Sequence, residues 1–122
     1  MEIFVATDLT LHELAQQLRE ILNIPDRNRS PNWLDPSQWR YSDNLGGEYY
    51  LFEVFGLLLK LIRNEGEEAG IPERSEYSYY ILVDTAGQTD LEMLACLRRY
   101  LCGVLRRAGL KAAVEEDLPP PD

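Results

Sequence analysis

A chain of 122 residues, 45% hydrophobic and 27% charged, has the makeup of one packed domain and needs no metal or disulfide to bury a core. Its 12 Lys and Arg stand against 21 Asp and Glu, a net charge of −9. That balance argues against nucleic acid or an anionic membrane as the main partner, since both are held by cations on phosphates, and it suits a basic protein.

Glu2–Ala6 reads as a short strand, bounded by Thr7–Asp8. No basic segment precedes it, and no stretch approaches the ~20 apolar residues of a membrane span, so a cytoplasmic location is expected. Thr10-x-x-Glu13 fits a capping box. Leu11, Leu14, Leu18, Ile21 and Leu22 follow at helical spacing, and Pro25 is expected to end that helix. Residues 23–37 hold Pro25, Pro31 and Pro36 and read as an irregular loop with an aromatic exit at Trp33. Residues 38–42 alternate as a strand, with Trp39 and Tyr41 on one face, and Asn44–Gly47 reads as a turn.

Residues 48–63 read as two strands meeting at Gly56, on their aromatic and β-branched content, although the leucines after Gly56 also suit a helix. Residues 64–70 read as an acidic loop and 77–84 as the clearest strand. Thr89 or Asp90 caps a second helix over 90–108, which Gly109 stops. Its expected core side holds Met93, Leu94, Leu97, Tyr100, Leu101, Val104 and Ala108, with Arg98 at the flank. Cys96 and Cys102 lie six apart, about 120° out of alignment around the axis, so they are read as separate buried thiols. Residues 111–115 form a short edge strand, and 118–122 a proline-rich tail beyond a domain at 1–117. The resulting order, β-α-β-β-β-β-α-β, is a two-layer α+β fold with a mostly antiparallel sheet and two helices.

Chemistry-bearing motifs are scarce. The sole histidine, His12, reads as a solvated helix residue with no nucleophile aimed at it. One His and two distant Cys do not fit zinc spacings, and Gly46–Gly47 leads into Glu48 rather than a phosphate-binding lysine. No cofactor or metal is expected, and a non-enzymatic role is. Charge patterning is more telling: residues 43–84 carry nine acids against three bases, a balance of −6, while 90–108 carry four arginines against two acids. Carboxylates around aromatic anchors are what a binder of a basic protein presents. Glu53, inside an apolar strand, is read either as the solvent side of that strand or as a carboxylate held at an interface.

The runs Gly46–Gly47–Glu48–Tyr49–Tyr50–Leu51–Phe52–Glu53, Arg63–Asn64–Glu65–Gly66–Glu67, Ile71–Pro72–Glu73–Arg74 and Tyr79–Tyr80 resemble small bacterial immunity proteins of polymorphic-toxin and contact-dependent inhibition systems. The resemblance spans residues 46–80. It implies a protein that binds and neutralises a cognate toxin domain, often a nuclease. On this reading Glu48, Glu53, Glu65, Glu67, Glu68 and Glu73 supply charge, and Trp33, Trp39, Tyr41 and Tyr49 supply anchors. The alternative is a homodimeric structural or adaptor module, with Tyr77–Val83 pairing across a two-fold axis.

Overall fold

The computed structural model describes residues 1–24, 39–44, 47–54, 56–85 and 90–120, with backbone alone for 39–44, 54 and 67–68. In chain order these form β1 (Glu2–Ala6), α1 (Leu11–Ile21), β2 (Trp39–Asn44), β3 (Gly47–Val54), β4 (Leu57–Arg63), α2 (Gly66–Ala69), β5 (Tyr79–Thr85), α3 (Leu91–Arg107) and β6 (Lys111–Val114). Single 3-10 turns lie at Pro72–Arg74 and Glu115–Asp117. The strands form one antiparallel sheet in the order β2-β3-β4-β5-β1-β6. This is the expected α+β fold, with strands and longer helices in the expected order. Among the described residues, no helix is long and apolar enough to cross a membrane.

Residues 57–63 are strand, and Gly56 explains how. Val54 pairs with Leu57, so the connection is a tight turn, and Gly56 takes φ +75°, which side chains rarely adopt. Period 2 then sends Leu57, Leu59 and Leu61 to one face, all buried, and Leu58 and Lys60 to the other. The first face meets the helices. Ile3, Val5, Phe52 and Ile81 pack there against Leu14 and Leu18 of α1 and Leu94, Leu101 and Leu105 of α3.

Both helices are closed by side chains and by backbone. Thr10 and Glu13 form the capping box reciprocally, at 3.1 and 2.9 Å, and Asp90 caps α3 through the amides of Glu92 and Met93. Asn23, at φ 53°, ends α1 before Pro25 is reached. Its amide donates to the Glu20 carbonyl, and that of Ile24 donates to Arg19. Gly109 and Leu110 repeat the same pattern after α3, donating to Arg106 and Leu105. These are Schellman closures, and in each the apolar residue after the left-handed one packs against the core.

Among the described residues, the second sheet face is covered at one end only. Between β4 and β5 the chain makes an excursion organised by Asn64, whose side-chain amide donates to the carbonyls of Arg74 and Tyr77, both at 2.9 Å. The Tyr80 hydroxyl donates to the Ala69 carbonyl at 2.6 Å. This closes a smaller cluster of Phe4, Ile62, Tyr77, Tyr80 and Ala113, with Ala69, Ile71 and Leu118 against it. The acidic loop expected at 64–70 therefore contains a helical turn, α2.

Two nearly buried arginines, Arg74 at 4% and Arg98 at 5% exposure, hold the turn after β6 from opposite layers. Arg74 pairs with Glu115 and Arg98 with Glu116, and Arg99 also reaches Glu116 (3.4 Å) and Asp117 (3.6 Å). Hydrogen bonds from the arginines hold both glutamates below the ordinary value of 4.5. A lowered folded-state pKa adds stability above the ordinary value that is lost as pH falls through the lowered one. Acidification from about pH 6 to about pH 3 is therefore expected to reduce amide-exchange protection at Leu118, whose N–H donates to Glu115, before the strands lose theirs. Glu115→Gln with Glu116→Gln should remove that pH step; an unchanged step would detach it from these pairs.

Three expectations need correction. On α3 the buried side chains are Leu94, Arg98, Leu101, Cys102 and Leu105, while Met93, Tyr100 and Ala108 are exposed. Cys102 is buried, and burial pushes its thiol up, but Cys96 is exposed. Residues 79–83 lie in β5, which is hydrogen-bonded to β4 on one side and β1 on the other, so this strand cannot pair with a second copy.

Candidate functional site

Beyond the covered end, the second sheet face is open among the described residues, and its members follow from register. One row across the sheet holds Arg40, Leu51, Lys60, Leu82 and Glu2, and the next holds Glu53, Leu58 and Asp84. Leu51, Leu58 and Leu82 are half-buried, while Glu53 and Asp84 are exposed. Tyr49 stands at the corner, and the Lys60 ammonium lies 4.1 Å from its ring centroid. The result is a leucine centre bordered by Glu2, Glu53 and Asp84, with the Lys60 ammonium inside it, the Met1 ammonium 3.5 Å from Glu2, and Arg40 at the β2 end of the first row. Four strands ~4.8 Å apart and two side-chain repeats of ~7 Å make a patch of ~200 Å², about a quarter of one partner's share of a standard interface. It is thus sized as the centre of a contact, with neighbouring loops as its rim.

A second polar cluster lies on the helix side. His12 Nδ1 is hydrogen-bonded to the Tyr50 hydroxyl at 2.7 Å, and its Nε2 lies 3.6 Å from Glu48. Arg63 Nη1 donates to Glu48 at 3.1 Å, and Arg63 Nε lies 4.0 Å from Glu65. Burial, then the Glu48 charge, raises the Tyr50 hydroxyl pKa. This cluster ties α1 to β3 and β4, and its half-exposed pairs are each worth about 0–1 kcal/mol.

The sequence-derived site residues divide between these places. Tyr49 and Glu53 share the open face. Glu48 alternates to the other side and is engaged by Arg63 and His12. Glu65 precedes α2 and is exposed, as is Glu73 in the 3-10 turn. Glu67 and Glu68 lie within α2, their side chains outside the described part. Trp39 and Tyr41 lie in β2, in register with Phe52 and Tyr50, with backbone alone described. Trp33, most of the loop expected at 23–37, and Leu45 and Gly46 of the turn expected at Asn44–Gly47 fall outside the described residues. Sequence reasoning missed Leu51, Leu58, Leu82 and Asp84 as members of one surface, because only strand register brings β3, β4 and β5 side by side.

Among the described residues, no group of three or more His, Cys, Asp or Glu is placed to hold a metal ion. A gap of about 80 Å³ between α3 and the C-terminal turn, lined by Arg99, Cys102, Arg106 and Asp117, is small beside the ~300–1,000 Å³ of ligand pockets. No family model, curated protein or solved structure matches this chain.

Proposed function

We propose that this protein is a stoichiometric inhibitor of the immunity type, which binds a basic toxin domain and blocks its active site or substrate path. The observation that carries this reading is the open sheet face, an apolar centre edged by Glu2, Glu53 and Asp84. Burying leucines and a tyrosine supplies the anchor, and surrounding carboxylates steer a cationic partner and exclude the wrong ones. The net charge of −9 extends that field beyond the patch. The resemblance of residues 46–80 to immunity proteins points the same way.

The test is association kinetics with the toxin domain at several salt concentrations. Glu53→Lys with Asp84→Lys should slow association about 10-fold or more at low salt and flatten its salt dependence. Reversal of Glu65, Glu67 and Glu68 examines the other acidic segment. If only that second set slows association, the partner docks beside α2 and not on the open face.

A further inference from the structure

A different surface, on α3, is also apolar and exposed. α3 bears an exposed apolar stripe beside its core face, and Met93 (61% exposed) and Tyr100 (65%) are its most open members. Half-buried Leu97 and Val104 complete it. With Asp90 before and Arg107 after, the six positions are spaced by three, four, three, four and three residues, the alternation of a helix–helix seam. Its ends carry opposite charge. Among the described residues, Arg107 has no ion pair.

We infer that this stripe is the interface of a homodimer in which two copies of α3 pack antiparallel. A two-fold axis midway between Arg98 and Arg99 sets Asp90 opposite the second copy's Arg107, Met93 opposite its Val104, and Leu97 opposite its Tyr100. Every position along the stripe then meets a complementary one: acid with base at the ends, large with small in the middle. Parallel packing would instead oppose Asp90 to Asp90 and Arg107 to Arg107. A self-complementary patch is what a two-fold interface requires. Cys96 lies beside the seam and is exposed. The apolar stretch from Met93 to Val104 is only ~16 Å long, which suits a weak dimer with Kd on the order of 10 μM. The open sheet face lies on the far side of the sheet from α3 and stays free in such a dimer.

Sedimentation equilibrium over roughly 1–500 μM tests this. The wild-type chain should show a monomer–dimer equilibrium that weakens with salt. Tyr100→Glu, at an exposed position that leaves the fold intact by circular dichroism, should raise Kd at least ~10-fold by setting a carboxylate against the second copy's Leu97. Arg107→Glu should weaken the dimer by opposing Asp90, and adding Asp90→Asn, which keeps the helix cap, should recover part of the loss. A wild-type chain that stays monomeric throughout would overturn the proposal, as would a dimer whose Kd is indifferent to Tyr100→Glu.

Discussion

Replacing Leu58 by arginine is expected to abolish binding of a basic partner while leaving the chain folded. Leu58 lies at the centre of the open face, in register between Glu53 on β3 and Asp84 on β5. An arginine there gains two carboxylate neighbours in the free protein, and because Leu58 is only half-buried, the folding cost should stay under about 1 kcal/mol. In a complex the same arginine removes an apolar anchor, neutralises the acids beside it and faces a cationic surface. Losing a central anchor and adding like-charge opposition together predict at least a ~100-fold loss of affinity, about 2.7 kcal/mol. Thermal unfolding and a binding titration on the same sample separate the two effects. An unchanged affinity with an unchanged Tm would take the open face out of the interface.

Phe4→Ala should have the largest effect on stability. Phe4 is 1% exposed, in a strand paired on both sides, and its ring meets Tyr77 at 5.7 Å and Tyr80 at 6.5 Å. Truncation removes the centre of the second cluster and the surface on which the excursion after β4 rests. A buried Phe→Ala typically costs about 3–5 kcal/mol, a large part of the ~5–15 kcal/mol that holds a domain together. For a chain of this size, Tm should fall by roughly 10–20 °C. Leu91→Ala, at a side chain 67% exposed, should change stability by no more than about 0.5 kcal/mol. A small effect of Phe4→Ala would mean that the excursion is held by the hydrogen bonds of Asn64 rather than by this cluster.

The sequence was most legible where one local rule acts alone. The capping box at Thr10, the cap at Asp90, the stop at Gly109 and the strand alternation after Gly56 each depend on residues a few positions apart, and each stands in the fold as expected. Legibility ended where two rules overlapped. On α3, Met93 and Tyr100 are apolar and helically spaced, so they read as core, but they belong to a second stripe alongside it. Arg98 reads as a flank because its partner Glu116 lies 18 residues away. In the candidate site, alternation alone separates Glu48 from Tyr49 and Glu53, and a stricter use of it divides the proposed acids correctly. Asp84 and Leu82 join that surface only through sheet register, a non-local fact. The role of Asn64 was likewise unreadable, since its three side-chain hydrogen bonds reach Ile71, Arg74 and Tyr77.

The most direct measurement is a neutralisation and titration experiment with the C-terminal domain encoded by the gene immediately upstream. This domain should be toxic when expressed alone, co-expression of this protein should restore growth, and the two should bind one-to-one with nanomolar affinity, which Leu58→Arg destroys together with rescue. A harmless upstream domain, or a toxic one that this protein neither binds nor neutralises, would contradict the proposed function.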